Sequence, residues 1–279
     1  VGSDKLVTGS WDRTIALWHT GTGERIRRYR GHIDRVDRVA VCQRTSTLIS
    51  ADESGLICEF RLRDGTPLST WACHDNRVRA LVVDGDGWIS VGDDGKMVRR
   101  RWTDTEPQVI LEWDTPIYSV LFSYKDRAIV AADAAGRLFC IREGSGEADV
   151  LTQDDQYLRC VRLSPDRRTV IGAGRSGVVH VVPLSIGGGT VCTDYPIRLT
   201  RGVFDVAWMT PNRVVGCGRK GLVFVADVKS ELASGGCAHE SLAVELTAHF
   251  DHVFAVVPLN ESQFATAGID GQVIRWSAR

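Results

Sequence analysis

The apolar positions of this chain fall in short runs of four to six residues, rich in Val, Ile, Leu and Phe and bounded by Gly, Asp, Ser and Asn. Runs of that length and composition, closed off by turn residues, predict β-strands. The clearest set closes the chain: residues 249–257, a turn, and then 264–276. The same pattern recurs six more times upstream. A step of twelve joins Leu6 to Trp18, Leu48 to Phe60, Ile129 to Ile141, Val170 to Val182, Val214 to Ala226 and Phe264 to Trp276. Each interval holds a strand, a tight turn containing Gly or Asp, and a second strand. A further run precedes every pair but the first, at 36–41, 78–83, 117–122, 158–163, 203–208 and 253–257. A weaker one follows most pairs, at 26–29, 68–71, 109–111, 150–151 and 242–246.

Each unit is therefore four strands, a to d, repeated about every forty to fifty residues. One such sheet cannot bury both of its faces, whereas a series of sheets packed face to face can. The expected fold is all-β, a seven-bladed β-propeller of four-stranded antiparallel blades. Its units are roughly 1–30, 31–72, 73–112, 113–153, 154–198, 199–247 and 248–279. The first unit lacks strand a and the last lacks strand d. The pattern reads as a piece of a longer chain whose flanks complete the ring.

Over its whole length the chain resembles the WD-repeat β-propellers. Gly31-His32, the run Leu-Val-Thr-Gly-Ser-Trp-Asp at 6–12, and Trp18, Trp102 and Trp276 are similar to that family's motifs. The resemblance implies a structural hydrogen-bond network in each blade, made of a His before strand a, a Ser or Thr in b, an Asp in the b–c turn and a Trp in c. The last unit has all four, His249, Thr266, Asp270 and Trp276. The first has Thr8, Asp12 and Trp18, and the third has His74, Ser90 and Asp94. In the third the step of twelve from Trp88 reaches Arg100, and Trp102 comes two residues late. The second keeps His32 and Ser50, with Ser54 and Phe60 at the Asp and Trp positions. Units four to six have Ala131, Gly172 and Gly216 at the hydroxyl position. These three blades are expected to be held by apolar packing alone, further weakened by the two strand glycines.

Composition narrows the function. The chain has 279 residues, 43% hydrophobic and 25% charged, with a net charge of −1. A near-neutral chain makes no global field for phosphate backbones or anionic lipid, so nucleic acid and membrane are disfavoured as partners. The eight cysteines include no Cys-x-x-Cys pair and fall mostly inside apolar runs, which reads as buried thiols in a cytoplasmic protein. No metal site and no cofactor are expected.

Three motifs invite a chemical reading. His74, Ser90 and Asp94 are the residue types of a hydrolase triad, as are His249, Thr266 and Asp270, but a set repeating with the blade is structural. Gly172–Gly177 and Gly216–Gly221 match Gly-x-Gly-x-x-Gly, yet a strand follows each where a dinucleotide site needs a helix. Cys237 and His239 lie in the long c–d link 229–241 and cannot fill four metal positions.

The expected function is non-enzymatic: a scaffold or sensor module, part of a larger protein, that binds protein or peptide partners of acidic character. The partner-binding face is expected where the d–a and b–c loops meet. Residues at or just inside strand a there are Arg35, Arg77, Arg79, Tyr118, Tyr157 and Arg159, followed by Phe204, His252 and Phe254. The b–c turns add Trp11, Arg175 and Arg219. Aromatic and Arg side chains are the types enriched at binding hot spots. The alternative is an enzyme or small-ligand binder using the central channel, which requires convergent acidic, His or Lys residues at the channel mouth.

Overall fold

Strand-rich units with turn residues every few positions fold here into seven antiparallel sheets. The structure is a computed structural model describing residues 4–123, 127–142, 147–184, 194–228 and 243–278. The link 229–241, with Cys237 and His239, lies outside the described residues. The first sheet is β1 (Lys5–Gly9), β2 (Ile15–His19) and β3 (Arg25–Tyr29). The second is β4 (Val36–Cys42), β5 (Thr47–Asp52), β6 (Leu56–Arg61) and β7 (Pro67–Ala72), and the third is β8 (Val78–Val83), β9 (Gly87–Gly92), β10 (Lys96–Arg101) and β11 (Gln108–Glu112). The fourth is β12 (Ile117–Ser123), β13 (Ala128–Asp133), β14 (Arg137–Arg142) and β15 (Ala148–Gln153). The fifth is β16 (Leu158–Leu163), β17 (Thr169–Gly174), β18 (Val178–Pro183) and the two-residue β19 (Ile197–Arg198). The sixth is β20 (Val203–Thr210), β21 (Arg213–Gly218), β22 (Leu222–Asp227) and β23 (Ala243–Thr247). The seventh is β24 (Val253–Asn260), β25 (Gln263–Gly268) and β26 (Val273–Ser277).

These are the seven blades of an all-β propeller fold, the first and last three-stranded. The described residues contain no helix long and apolar enough to cross a membrane. The chain divides into two compact units, Val1–Val120 and Leu121–Arg279, with the boundary inside β12.

Why the inner strands read as unbroken apolar runs is clear from their packing. Side chains alternate across a strand. In β5, Leu48 packs with Ile15, Tyr29 and Phe60 on one side. Its neighbour Ile49 packs with Val78, Trp88 and Val98 on the other. A sheet covered on both faces has no solvent side, so every position is apolar or hydrogen-bonded. Burying each such Leu or Ile stabilises by about 1.5–3 kcal/mol. In the second unit the same alternation places Val170 and Val182 against Leu138 and Leu158. It places Ile171 and Val181 against Val206, Phe224 and Trp208. The outer strands β3, β7, β11 and β15 are largely exposed.

Two departures from regular pairing matter for the surface. In five blades the a–b register slips by one residue just after the first residue of strand a, at Asp37, Arg79, Arg159, Phe204 and Phe254. A β-bulge leaves one residue unpaired and re-aims its side chain. Strand a starts on a buried aliphatic residue in each of these blades, so the bulge lifts the next side chain to the rim.

The second departure corrects the expectation that Gly216 weakens its strand. Gly216 pairs across the sheet with Phe224, and a Cβ there would lie 2.3 Å from the ring. The absent side chain is what lets the Phe224 ring lie over the backbone. At Gly172 a Cβ would meet Leu138 at an ordinary 3.5 Å. Gly216→Ala is expected to cost about 1–3 kcal/mol through overpacking. Gly172→Ala should be neutral, or stabilising by up to about 1 kcal/mol through the unfolded chain. Urea unfolding of the two variants side by side checks this, and equal losses would contradict it.

Candidate functional site

Polar residues inside a sheet sandwich must find partners, because an unpaired buried polar group costs about 1–3 kcal/mol. In blade 7, His249 Nδ1 lies 2.9 Å from Asp270 Oδ2 and its Nε2 lies 2.8 Å from Thr266 Oγ1, which also accepts from Trp276 Nε1 at 2.8 Å. Blade 3 places His74 between Asp94, at 3.0 Å, and Ser90, at 2.8 Å. In blade 1, Trp18 Nε1 donates to Thr8 Oγ1 at 2.8 Å, and Asp12 closes the turn by accepting from the Thr14 amide and hydroxyl.

Blade 2 uses a different acid from the one its repeat position suggests. His32 Nδ1 meets Asp52 Oδ2 at 2.9 Å and Nε2 meets Ser50 Oγ at 2.6 Å, while Ser54 donates to Asp52 Oδ1. The carboxylate has moved from the turn to the end of strand b, two residues after the hydroxyl, and reaches the same imidazole nitrogen from there. Burial works against charge on His32, but the hydrogen bond that it donates to Asp52 and the nearby Cys58 outweigh it and raise its pKa to about 9. Burial likewise opposes ionisation of Asp52, yet His32, Ser54 and the Leu56 amide hold its carboxyl down at about 2.

Blades 3 to 5 also carry polar pairs that repeat matching misses. Arg100 stands across from Trp88, and both donate to Glu59 of the preceding blade, at 3.2 and 2.6 Å. Trp102 takes no part, and its buried indole nitrogen has no partner among the described residues. In blade 4, Asp133 holds the turn through the Arg137 amide and Nε. In blade 5 the roles are exchanged. Asp154 occupies the histidine position before strand a, and the imidazole comes from His180 in strand c, between Asp154 at 3.0 Å and Asp194 at 2.5 Å. Apolar packing alone therefore does not hold blades 4 and 5.

Three of these sets have the geometry of a nucleophile, a base and an orienting acid. Ser50 and Ser90 are 0% exposed and Thr266 is 1% exposed, with their histidines buried above them. A nucleophile must reach a substrate carbonyl, and these hydroxyls face only their own sheet. The sets hold strand a, the b–c turn and strand c together.

The rim these networks support is built from three repeat positions: the residue before strand a, the bulge residue, and the first residue after strand b. A backbone bond ties the first and third together. Glu53 N donates to Arg35 O, and Asp93 N to Arg77 O. In the second unit Arg175 N donates to Tyr157 O, Arg219 N to Gly202 O and Ile269 N to His252 O, all within 2.9–3.1 Å.

Within the unit Val1–Val120 this rim is an ion-pair lattice. Arg35 lies 3.6 Å from Glu53 and stacks over Trp11 at 4.6 Å. Arg77 bridges Asp37 and Glu53, at 2.5 and 3.2 Å. Arg79 pairs with Asp93 at 2.6 Å and covers the Tyr118 ring at 5.1 Å. The hydrogen bond that Arg79 donates to Asp93 raises the Arg79 pKa against its partial burial. These arginines therefore present little free charge. Asp37, Glu53 and Asp93 went unrecognised although the turn position of Glu53 and Asp93 is the one held by Arg175 and Arg219. Aligning the repeats would have exposed the reversal of sign.

Within the unit Leu121–Arg279 the rim differs in chemistry. The Arg159 guanidinium lies 4.9 Å over the Phe204 ring, and Phe204 stacks on Phe254 at 5.1 Å with 14° between planes. His252 sits 5.5 Å from Phe204. Three consecutive strands a thus contribute to one stack, and Tyr157, two residues before Arg159, is half-buried. Beneath the stack Asp205 is taken up by Arg162 and by the Val206 and Val256 amides. Burial raises the Asp205 pKa against the pull of Arg162. No group of three or more His, Cys, Asp or Glu among the described residues is placed to hold a metal ion.

No protein-family model matches the chain, and no curated protein matches it in sequence. Among solved structures it is similar to the computationally designed Ika8 protein, with a TM-score of 0.81 at 19% identity over 99% of this chain and 81% of that one. It is also similar to the Cps50 (Swd1) β-propeller domain of Myceliophteria thermophila, with a TM-score of 0.74 at 14% identity over 99% of this chain and 93% of that one. At these identities the likeness shows the β-propeller fold.

Proposed function

We propose that this chain is a non-enzymatic protein-interaction platform, and that its partners dock on the bulge-built rim. The observation carrying this reading is the half-exposed stack of Arg159, Phe204, His252 and Phe254. Rigid strands hold these side chains in place, so little conformational entropy is lost when a partner covers them. The buried His–hydroxyl–acid sets serve the same end by fixing the turn on which the rim stands. Such a platform works as one module of a larger protein, and the reading calls for no cofactor.

Selection of peptides from a random display library on the immobilised chain tests it. Recovered peptides are expected to lose about ten-fold or more in affinity for Phe204→Ala and for Phe254→Ala, as at interface hot spots. Peptides indifferent to both substitutions would place docking elsewhere.

A further inference from the structure

Resting on that reading, we propose that the rim of blades 5 to 7 takes an extended peptide segment in which carboxylates alternate with aromatic or aliphatic side chains.

The charge argument comes from the same repeat positions that cancel one another in the first unit. In blades 2 and 3, Glu53 and Asp93 face the arginines of their own rim. In blades 5 and 6 those positions are Arg175 and Arg219, and they and Arg159 make no ion pair among the described residues. The carboxylates below are engaged: Asp205 by Arg162, Asp154 by His180 and Ser176, and Asp270 by His249. Asp251, at the rim, lies 2.6 Å from His252 Nδ1, and Asp155 stays exposed on the same loop as Tyr157.

The geometry adds selectivity. The Arg159 guanidinium lies over the Phe204 ring, and the N–H groups of a guanidinium fit a carboxylate with two parallel hydrogen bonds. Beside it are exposed apolar side chains: Phe254 at 42%, Ile269 at 62% and Phe250 at 87% exposed. An extended chain brings every second side chain to the same face, about 7 Å apart. Acid and apolar groups can therefore reach the arginines and the rings in turn. Arginine beside stacked aromatics also suits a single-stranded nucleic acid. Aliphatic Ile269 and a net charge of −1 favour the peptide.

Fluorescence anisotropy on the intact chain decides, with four labelled probes. The first is a short peptide alternating Asp or Glu with Leu or Phe. The second carries Lys in place of the acids, and the third carries Gly and Ser in place of the apolar residues. The fourth is an oligouridine of similar length. The first is expected to bind about ten-fold or more tighter than the other three. Arg159→Glu and Arg219→Glu should each weaken it by about ten-fold, with less binding at high salt. Arg168→Glu, in the exposed a–b turn of blade 5, should leave it unchanged, and circular dichroism checks that each variant is folded. Equal binding of the Lys peptide, still sensitive to Phe204→Ala, overturns the charge inference and leaves the platform standing. Tighter binding of the oligouridine overturns it in favour of nucleic acid. Failure of the first peptide while the display library yields Phe204-dependent binders overturns this inference alone. Failure of both removes the platform reading with it.

Discussion

Trp88→Ala is expected to lower the stability of the chain by about 3–5 kcal/mol, the range for removing a fully buried aromatic side chain. Trp88 has no exposed surface and packs between blades 2 and 3 with Ile49, Ile57, Val78 and Val98. Its loss opens a cavity between sheets whose backbones are each fixed by their own ladders, so collapse onto the gap is limited. It also strips a donor from Glu59, whose side chain is 5% exposed and keeps Arg100 as its ion-pair partner among the described residues. Trp88→Phe separates the two effects. It keeps most of the packing and removes the N–H, for an expected cost of about 1–3 kcal/mol as Glu59 loses a bond in a buried site. Urea midpoints for the two variants, with unchanged slope, give the measurement. A loss under about 1 kcal/mol for the alanine variant would show that the contact between these blades is not what holds them.

The second large effect is a pH dependence carried by His32 and Asp52. His32, raised to about 9, contributes stability that is fully present below its ordinary value of 6.5 and is lost as pH rises through about 9. Asp52, held at about 2, contributes stability present above its ordinary value of 3.8 and lost as pH falls through about 2. The pair is thus worth most between pH 3.8 and 6.5 and fades on the alkaline side. Asp52→Asn should destabilise by about 3 kcal/mol near pH 6, since it leaves a buried imidazole without its counter-charge. The gap between wild type and variant should narrow steadily up to pH 9.5. Burial opposes charge on His180, yet Asp194 and Asp154 outweigh it and raise its pKa. His180 is common to both proteins and cancels in the difference. Thermal midpoints at pH 5.5, 7.5 and 9.5 provide the test, and a gap independent of pH would mean that His32 is neutral throughout.

Much of the polar architecture escaped repeat matching because hydrogen bonds are satisfied by position in space and not by position in the repeat. Asp52 reaches His32 from two residues short of the usual turn site. His180 and Asp154 exchange places between strand c and the loop before strand a. Glu59 serves Trp88 across a blade boundary, a relation that no single repeat contains. The glycines mislead in the same way. Gly172 and Gly216 occupy one repeat position, yet only Gly216 lies under an aromatic ring.

What the sequence determined by itself was the periodic part: strand positions, the step of twelve between b and c, the all-β fold and its seven blades. Those follow from local rules, because a strand covered on both faces must be apolar throughout and a two-strand hairpin must be closed by turn residues. Only the tertiary structure decided which arginines have ion-pair partners among the described residues. Arg35, Arg77 and Arg79 look no different from Arg159, Arg175 and Arg219 along the chain. Their charge is cancelled by acids that the bulge and the b–c turn bring within about 4 Å, where the Coulomb attraction of an ion pair becomes comparable to or larger than thermal energy.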